Sequence, residues 1–251
     1  MNRDELISYI NNELRIQDFK DYCPNGLQVA GRSEVKTLVA GVTACQALIE
    51  QAIAVEADLI LVHHGFFWKN EDPCVVGMKQ QRLKLLLTHD VNLLAYHLPL
   101  DAHSRFGNNA ELARLLNFKV TGELDTGLGP KFGFIGELAE PCLPEVLKSR
   151  IQKILNHDVL HLSADKKIIK TIAWCSGGAQ DYAEQAAKQG VDAYLTGEAS
   201  EYNFHLAKEL NCHFFAAGHH ATERFGVQAL GQHVADKFGL NYQWIDIKNP
   251  V

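Results

Sequence analysis

Residues 37–64 read TLVAGVTACQALIEQAIAVEADLILVHH, and the order of apolar runs within this stretch decides the fold. Residues 37–42 form a short apolar run containing β-branched side chains. Residues 44–57 repeat apolar side chains at helical spacing, and residues 58–62 return, after Asp58, to an unbroken apolar run. The reading is strand, helix, strand. Buried parallel strands appear as continuous apolar runs, and such units are joined by right-handed crossovers.

The alternation extends in both directions. Leu6, Ile7, Ile10 and Leu14 predict an amphipathic helix over 4–14, ended by the turn-rich DYCPNGLQVAG of residues 21–31. Downstream, the spacing predicts a helix over 79–88, a strand over 91–96 and a helix over 109–116. The texture then changes. Gly122, Gly127, Gly129, Gly133 and Gly136, with Pro130, Pro141 and Pro144, punctuate a strand candidate at 132–138. A domain boundary is expected near residue 125. Helices over 143–155, 181–189, 200–210 and 222–238 then alternate with strands over 168–174, 192–195, 212–216 and 242–246. Alternating strands and helices predict an α/β fold with mostly parallel or mixed sheets. The recurrence on either side of the glycine-rich joint is open to reading as two related halves.

Composition narrows the classes of function. With 251 residues, 24 basic and 30 acidic side chains, the net charge is −6, which excludes a strongly basic nucleic-acid footprint. No apolar run approaches the roughly 18 residues that span a bilayer, and MNRDELISYINNELR has no apolar core behind a basic start. The expectation is a cytoplasmic protein with no membrane partner. Consecutive cysteines among the six lie 22 to 68 positions apart, so none form a C-x-x-C pair, and buried reduced thiols are expected.

Histidine is the informative residue. Twelve placed at random give about 0.5 adjacent pairs, whereas His63-His64 and His219-His220 make two. Their positions matter more than their number. His63 and His64 follow the strand over 58–62, His97 and Asp101 follow the strand over 91–96, and His219 follows the strand ending at Ala216. Ligands of parallel α/β sheets bind at the carboxyl ends of strands, where loops converge on a rigid frame. Glu223 lies four residues after His219, on the same face of a helix starting near Ala221.

One histidine at a strand end is ordinarily a loop residue bonded to water or backbone. Imidazoles and carboxylates gathered at three strand ends suit Zn, Mn, Fe, Ni or Co, whereas Ca²⁺ prefers oxygen ligands alone. One open catalytic ion takes about three protein ligands, so a set of five predicts two divalent metal ions, His63 and His64 diverging toward different ions. His103 is the nearest further candidate, and His220 is expected to support its loop. Ser176 to Ala179 reads as a tight turn in preference to a phosphate cradle, since it lacks a nucleotide-loop pattern. Glu198 either lines the same cleft or begins the next helix. No G-x-S-x-G elbow or electropositive cysteine motif supports a nucleophilic triad.

Through LVHHGFFW at 61–68, YHLPLD at 96–101 and GHHATE at 218–223, with NGLQ at 25–28 and TGE at 196–198, the sequence resembles the GTP cyclohydrolase I type 2 homologues, or Nif-three-like dinuclear metal proteins. The resemblance implies metal ligation by His63, His64, Asp101, His219 and Glu223, with Glu223 and a water or hydroxide bridging the ions. It places His97 facing them, as a weak ligand or as a group that orients a ligand or moves a proton. It further implies two interlinked α/β domains, 1–125 with 217–251 and an inserted 126–216, and a homohexameric ring. The expected function is a metal-dependent hydrolase acting on a nucleotide, or a modified or damaged nucleotide, through the bridging hydroxide. The alternative is a non-catalytic metal-binding ring or scaffold engaging DNA or a protein partner.

Overall fold

The computed structural model describes residues 1–126 and 132–251, so Gly127, Gly129 and Pro130 of the glycine-rich joint lie outside the described residues. Its contacts divide the chain into two α/β units: Met1–Leu100 with Gly226–Lys248, and Asp101–Phe225 with Asn249–Val251. The first unit runs through α1 (Arg3–Glu13), β1 (Gly26–Val29), β2 (Thr37–Thr43), α2 (Gln46–Ala54), β3 (Leu59–His64), α3 (Gly77–Thr88) and β4 (Asn92–Ala95). A one-turn helix, α4 (Leu98–Ala102), carries the chain onward. The second unit contains α5 (Asn108–Leu116), β5 (Phe118–Glu123), β6 (Phe134–Cys142), α6 (Pro144–Leu155), β7 (Leu160–Leu162), β8 (Ile169–Trp174), α7 (Ala183–Lys188), β9 (Ala193–Thr196), α8 (Asn203–Glu209), β10 (His213–Ala216) and α9 (His219–Thr222). The long α10 (Arg224–Phe238) and β11 (Asn241–Trp244) return to the first unit. Among the described residues no helix is long and apolar enough to cross a membrane.

The first sheet has strand order β1-β4-β3-β2-β11, parallel except for β1, with Leu61 in register with Ala40 on one side and Leu94 on the other. Central strands β2, β3 and β4 are almost wholly buried, which is why they read as unbroken apolar runs. Val39, Ile60, Val62 and Leu93 pack with Leu48, Ile49 and Leu86 in one core. Each such side chain removed from water contributes about 1.5–3 kcal/mol. The second sheet, β5-β6-β8-β9-β10-β7, is parallel only through β8, β9 and β10. Its core gathers Leu147, Ile151, Ile172, Trp174, Leu195 and Phe215.

Local chemistry sets the ends of the elements. Asn2 caps α1 by accepting from the Asp4 and Glu5 N–H groups. Pro144 opens α6, and Asn156 ends it in the left-handed region, φ 47°. Three short strands, β1, β5 and β7, arise where the sequence reading placed turns or no element. Each is an antiparallel edge strand, and three to six residues carry too little periodicity to reveal it. The helix expected over 222–238 is broken at Glu223, which has φ −113° and ψ 7° between α9 and α10.

The two units repeat one motif. The order α1-β1-β2-α2-β3-α3-β4 recurs as α6-β7-β8-α7-β9-α8-β10, and the sheet segment β1-β4-β3-β2 recurs as β7-β10-β9-β8 with the edge strand antiparallel in both. Side-chain hydrogen bonds recur too. The Asp58 carboxylate accepts from Lys36 N at 2.7 Å, Thr37 N at 2.9 Å and Arg32 Nη1 at 2.9 Å. The Asp192 carboxylate accepts from Lys170 N at 2.9 Å, Thr171 N at 3.0 Å and Lys166 Nζ at 2.9 Å. Every equivalent pair is 134 positions apart (192 − 58). Both carboxylates accept from two successive backbone N–H groups at or near the start of a strand, β2 in one unit and β8 in the other, and so supply those groups with a partner.

Candidate metal centre

His63 and His64 are the last two residues of β3, so the rigid buried strand itself presents them. His63 is fully buried, and its Nδ1 lies 2.9 Å from the Tyr96 carbonyl oxygen. A carbonyl only accepts, so Nδ1 carries the hydrogen and Nε2 holds the lone pair. The Nδ1 of His64 lies 3.2 Å from the Thr43 hydroxyl at the end of β2. His97, two residues beyond β4, completes the group, with ring centroids 5.1 Å from His63 and 5.7 Å from His64. One nitrogen from each of the three lies within 4.8 Å of the others.

Asp21 fixes His97. Its carboxylate accepts from His97 Nδ1 at 2.7 Å, Tyr22 N at 2.6 Å, Asn25 Nδ2 at 2.8 Å and Leu98 N at 2.9 Å. The Asn25 side-chain oxygen accepts from His97 N at 2.8 Å. Burial alone would raise the Asp21 carboxyl, but the hydrogen bond and charge of His97, with Asn25 and the Tyr22 N–H, hold it below its ordinary value. Gln28 clamps the loop after the histidine pair, its Oε1 accepting from Phe66 N at 2.6 Å and its Nε2 donating to Phe66 O at 3.2 Å.

In the second unit, Asp101 is buried and accepts at Oδ1 from Asn108 Nδ2 at 2.8 Å and from the Ser176 hydroxyl at 3.1 Å. Asn109 secures the same corner, accepting from Ser176 N at 2.9 Å and donating to the Phe132 carbonyl at 2.7 Å. His219 stands between two carboxylates, Nδ1 at 2.5 Å from Glu198 and Nε2 at 3.1 Å from Glu223. Burial lowers its pKa, yet Glu223 and Glu198 together raise it to about 9. His219 and Glu223 meet although they do not share a continuous helix.

Gly177 and Gly197 are needed for this packing. Gly177 has φ +67°, and a Cβ there would lie 2.1 Å from Glu223 Oε1; one on Gly197 would lie 2.7 Å from the Gly177 carbonyl. The N–H groups of Gly177 and Ala179 are bonded to Thr222 and Thr196, so residues 176–179 form a tight turn around Glu223 as the sequence reading preferred. Glu198 supports His219. The His220 N–H donates to the Val251 carbonyl, and His103 caps its own loop by accepting from Arg105 N and Phe106 N.

The first unit thus gathers His63, His64 and His97, and the second gathers Asp101, His219 and Glu223. Asp21, Asn108 and Asn109 carry no motif or strand-end position that marks them in the sequence as part of the site. The one sequence signal for Asp21 is its place in a turn-forming DYCPNG, which predicts a turn and says nothing of a histidine 76 positions away. The nearby thiols of Cys23 and Cys175 are buried. Burial and the Asp21 charge push Cys23 up to about 12, and burial with Asp101 and Glu223 raises Cys175 well above the ordinary thiol value.

The donor set fits divalent transition metals. Imidazoles whose Nδ1 is engaged by a carbonyl or carboxylate, with Nε2 as the second ring nitrogen, are the form in which proteins present histidine to zinc and its neighbours. Residues 1–250 match the family Duf34/NIF3 (NGG1p interacting factor 3). The chain is 51% identical over 251 residues to a GTP cyclohydrolase 1 type 2 homolog of Yersinia pestis, covering all of both chains. It is 49% identical to the protein of the same name from Vibrio cholerae, again across both full lengths. Among solved structures, protein ybgI, of unknown function, superposes with TM-score 0.96 at 45% identity, and TTHA1606 from Thermus thermophilus with TM-score 0.89 at 35% identity, each over the whole of both chains.

Proposed function

The chain belongs to the Duf34/NIF3 family, and from that premise we propose that it is a dinuclear metal-dependent hydrolase acting on a nucleotide or a modified or damaged nucleotide. The proposed ligands are His63, His64, Asp101, His219 and Glu223. The observation that carries the reading is the fixing of imidazoles through Nδ1: His63 by a backbone carbonyl, His97 by Asp21 and His219 by Glu198. Such fixing aligns ligands before an ion arrives and raises their basicity. Two divalent ions, when bound, supply Lewis acidity toward water and toward the oxygen on which charge develops.

The chain's own residues do the rest. Asn108 and Ser176 direct Asp101 through one oxygen, Gly177 leaves room for Glu223, and Asp21 holds His97 beside the pair on β3. His97 then serves as a weak ligand or as the group that orients a ligand or moves a proton. The nucleotide class is supported by the names of the curated relatives, each a homolog of a GTP-acting enzyme. A homohexameric ring and a cytoplasmic location belong to the same proposal.

The test is elemental analysis of natively purified protein together with hydrolysis of a nucleotide and phosphoester panel. Two ions per chain and turnover are expected for the wild type, with less than one ion and no turnover for an Asp101→Ala, Glu223→Ala double variant. Equal rates for the two proteins would sink the reading.

A further inference from the structure

Two segments of the first unit carry aromatic rings to the edge of its histidine group. Trp68 meets His97 edge to face, centroids 5.1 Å apart at 86°, and lies 5.9 Å from His64. Tyr22 lies 6.3 Å from His97 and is 58% exposed. Neither ring belongs to a hydrophobic core cluster among the described residues, whereas the neighbouring Phe66 does. Burial therefore explains Phe66 and leaves Tyr22 and Trp68 unexplained.

The backbone holds these rings in place. Lys69 N donates to the Tyr22 carbonyl at 2.6 Å, tying one segment to the other. Glu71 braces Trp68 twice, its carboxylate accepting from Trp68 N at 3.1 Å and its own N–H donating to the Trp68 carbonyl at 2.9 Å. Phe67, immediately before Trp68, has φ +63°, a left-handed backbone that a bulky residue rarely adopts. Strain of this kind persists only where surrounding contacts impose it, and it concentrates at ligand sites. Lys79 covers the Phe67 ring at 5.3 Å, its charge engaged by Glu71.

Charge completes the pattern. Lys20 and Lys69 are exposed and lie within two residues of Tyr22 and Trp68, in a chain whose net charge is −6. Aromatic faces interleaved with lysines suit a ligand that joins a flat heteroaromatic ring to an anionic group. An aliphatic peptide uses neither the flat faces nor the positive rim as fully.

We propose that Tyr22 and Trp68 form the seat for the base of a mononucleotide, with Lys20 and Lys69 attracting its phosphate toward the adjoining histidine group. This rests on the nucleotide reading above and assigns the base to named residues. Stacking on such rings is expected to add roughly tenfold or more to affinity.

The experiment is calorimetric binding to the full-length, metal-loaded protein, comparing adenosine and guanosine 5′-monophosphate with ribose 5-phosphate. The wild type is expected to bind the nucleotides at least about tenfold more tightly. Tyr22→Ala and Trp68→Ala should each narrow that gap while leaving ribose 5-phosphate affinity and metal content unchanged, and Tyr22→Phe and Trp68→Phe should keep most of it. Equal wild-type affinity for nucleotide and ribose 5-phosphate overturns the proposal, as does an alanine variant that weakens both ligands equally. So does Tyr22→Ala changing the mass in light scattering with no change in nucleotide affinity, which would make the ring a contact for a second copy. Because binding is read without turnover, a protein that stacks bases but hydrolyses nothing refutes the hydrolase and retains the seat.

Discussion

Asp21 shows how much of the candidate centre is decided by single side chains that are not ligands. Four donors converge on its carboxylate, two of them from His97 and Leu98, so one residue sets both the imidazole orientation and the backbone leading into α4. Asp21→Asn preserves shape but turns an amide N–H toward at least one of those donors. The expected result is a loss of about 1–3 kcal/mol of stability and a fall in zinc affinity of about 10–100-fold, measured by urea denaturation and by competition with a chelator. Affinity within twofold of the wild type would show that His97 does not bear on the metals. Residues at strand ends were legible in the sequence because an apolar run announces its own terminus. His63, His64 and His97 follow such runs directly. Asp21, Asn108 and Asn109 were not legible, since each acts on a partner fixed only by the folded chain, as Asn109 does on Ser176 67 positions away.

At the scale of elements, the repeated carboxylate of Asp192, just before β9 and bonded to the N–H groups near the start of β8, offers a pH-dependent contribution that can be measured apart from any metal. Burial raises the Asp192 carboxyl, but Lys166 and the N–H groups of Thr171 and Lys170 hold it below the ordinary 3.8. A lowered folded-state value means stability that is present above the ordinary carboxylate range and lost as pH falls through the folded value. Asp192→Asn is therefore expected to be less stable than the wild type at pH 7, by about 1 kcal/mol or more, and the gap should narrow as pH falls below the ordinary carboxylate value of 3.8. Urea midpoints for both proteins at pH 7, 5 and 3 check this, and a constant gap across that range would refute the assignment. The long strands and helices were legible because burial on both faces leaves an unbroken apolar run, as in β2 and β3. The edges were not. β5 exposes five of its six residues, so its sequence has no buried face to betray it, and backbone pairing with β6 alone defines it.

For the molecule as a whole, the informative asymmetry is where each sheet finds its strands. All six strands of the second sheet fall within residues 101–225, whereas the first sheet closes its β2 edge only with β11, from residues 241–244. Helix α10 belongs to that closure. Gly231 brings it so close that a Cβ would lie 2.7 Å from the Tyr242 ring and 3.2 Å from Ala40 on β2. Removing the return segment would expose the backbone edge of a buried apolar strand, a template for aggregation. Residues 101–225 alone are thus expected to melt cooperatively, with circular dichroism of a mixed α/β unit. Residues 1–100 alone should aggregate or melt without cooperativity until residues 226–248 are supplied or fused. A third fragment, 126–216, follows the joints suggested by the glycine and proline texture. It omits β5 and leaves the paired face of β6 open, so its midpoint should fall below that of 101–225. A cooperative, monomeric 1–100 would refute this account of the return segment, because its sheet would then need no strand from beyond the second unit.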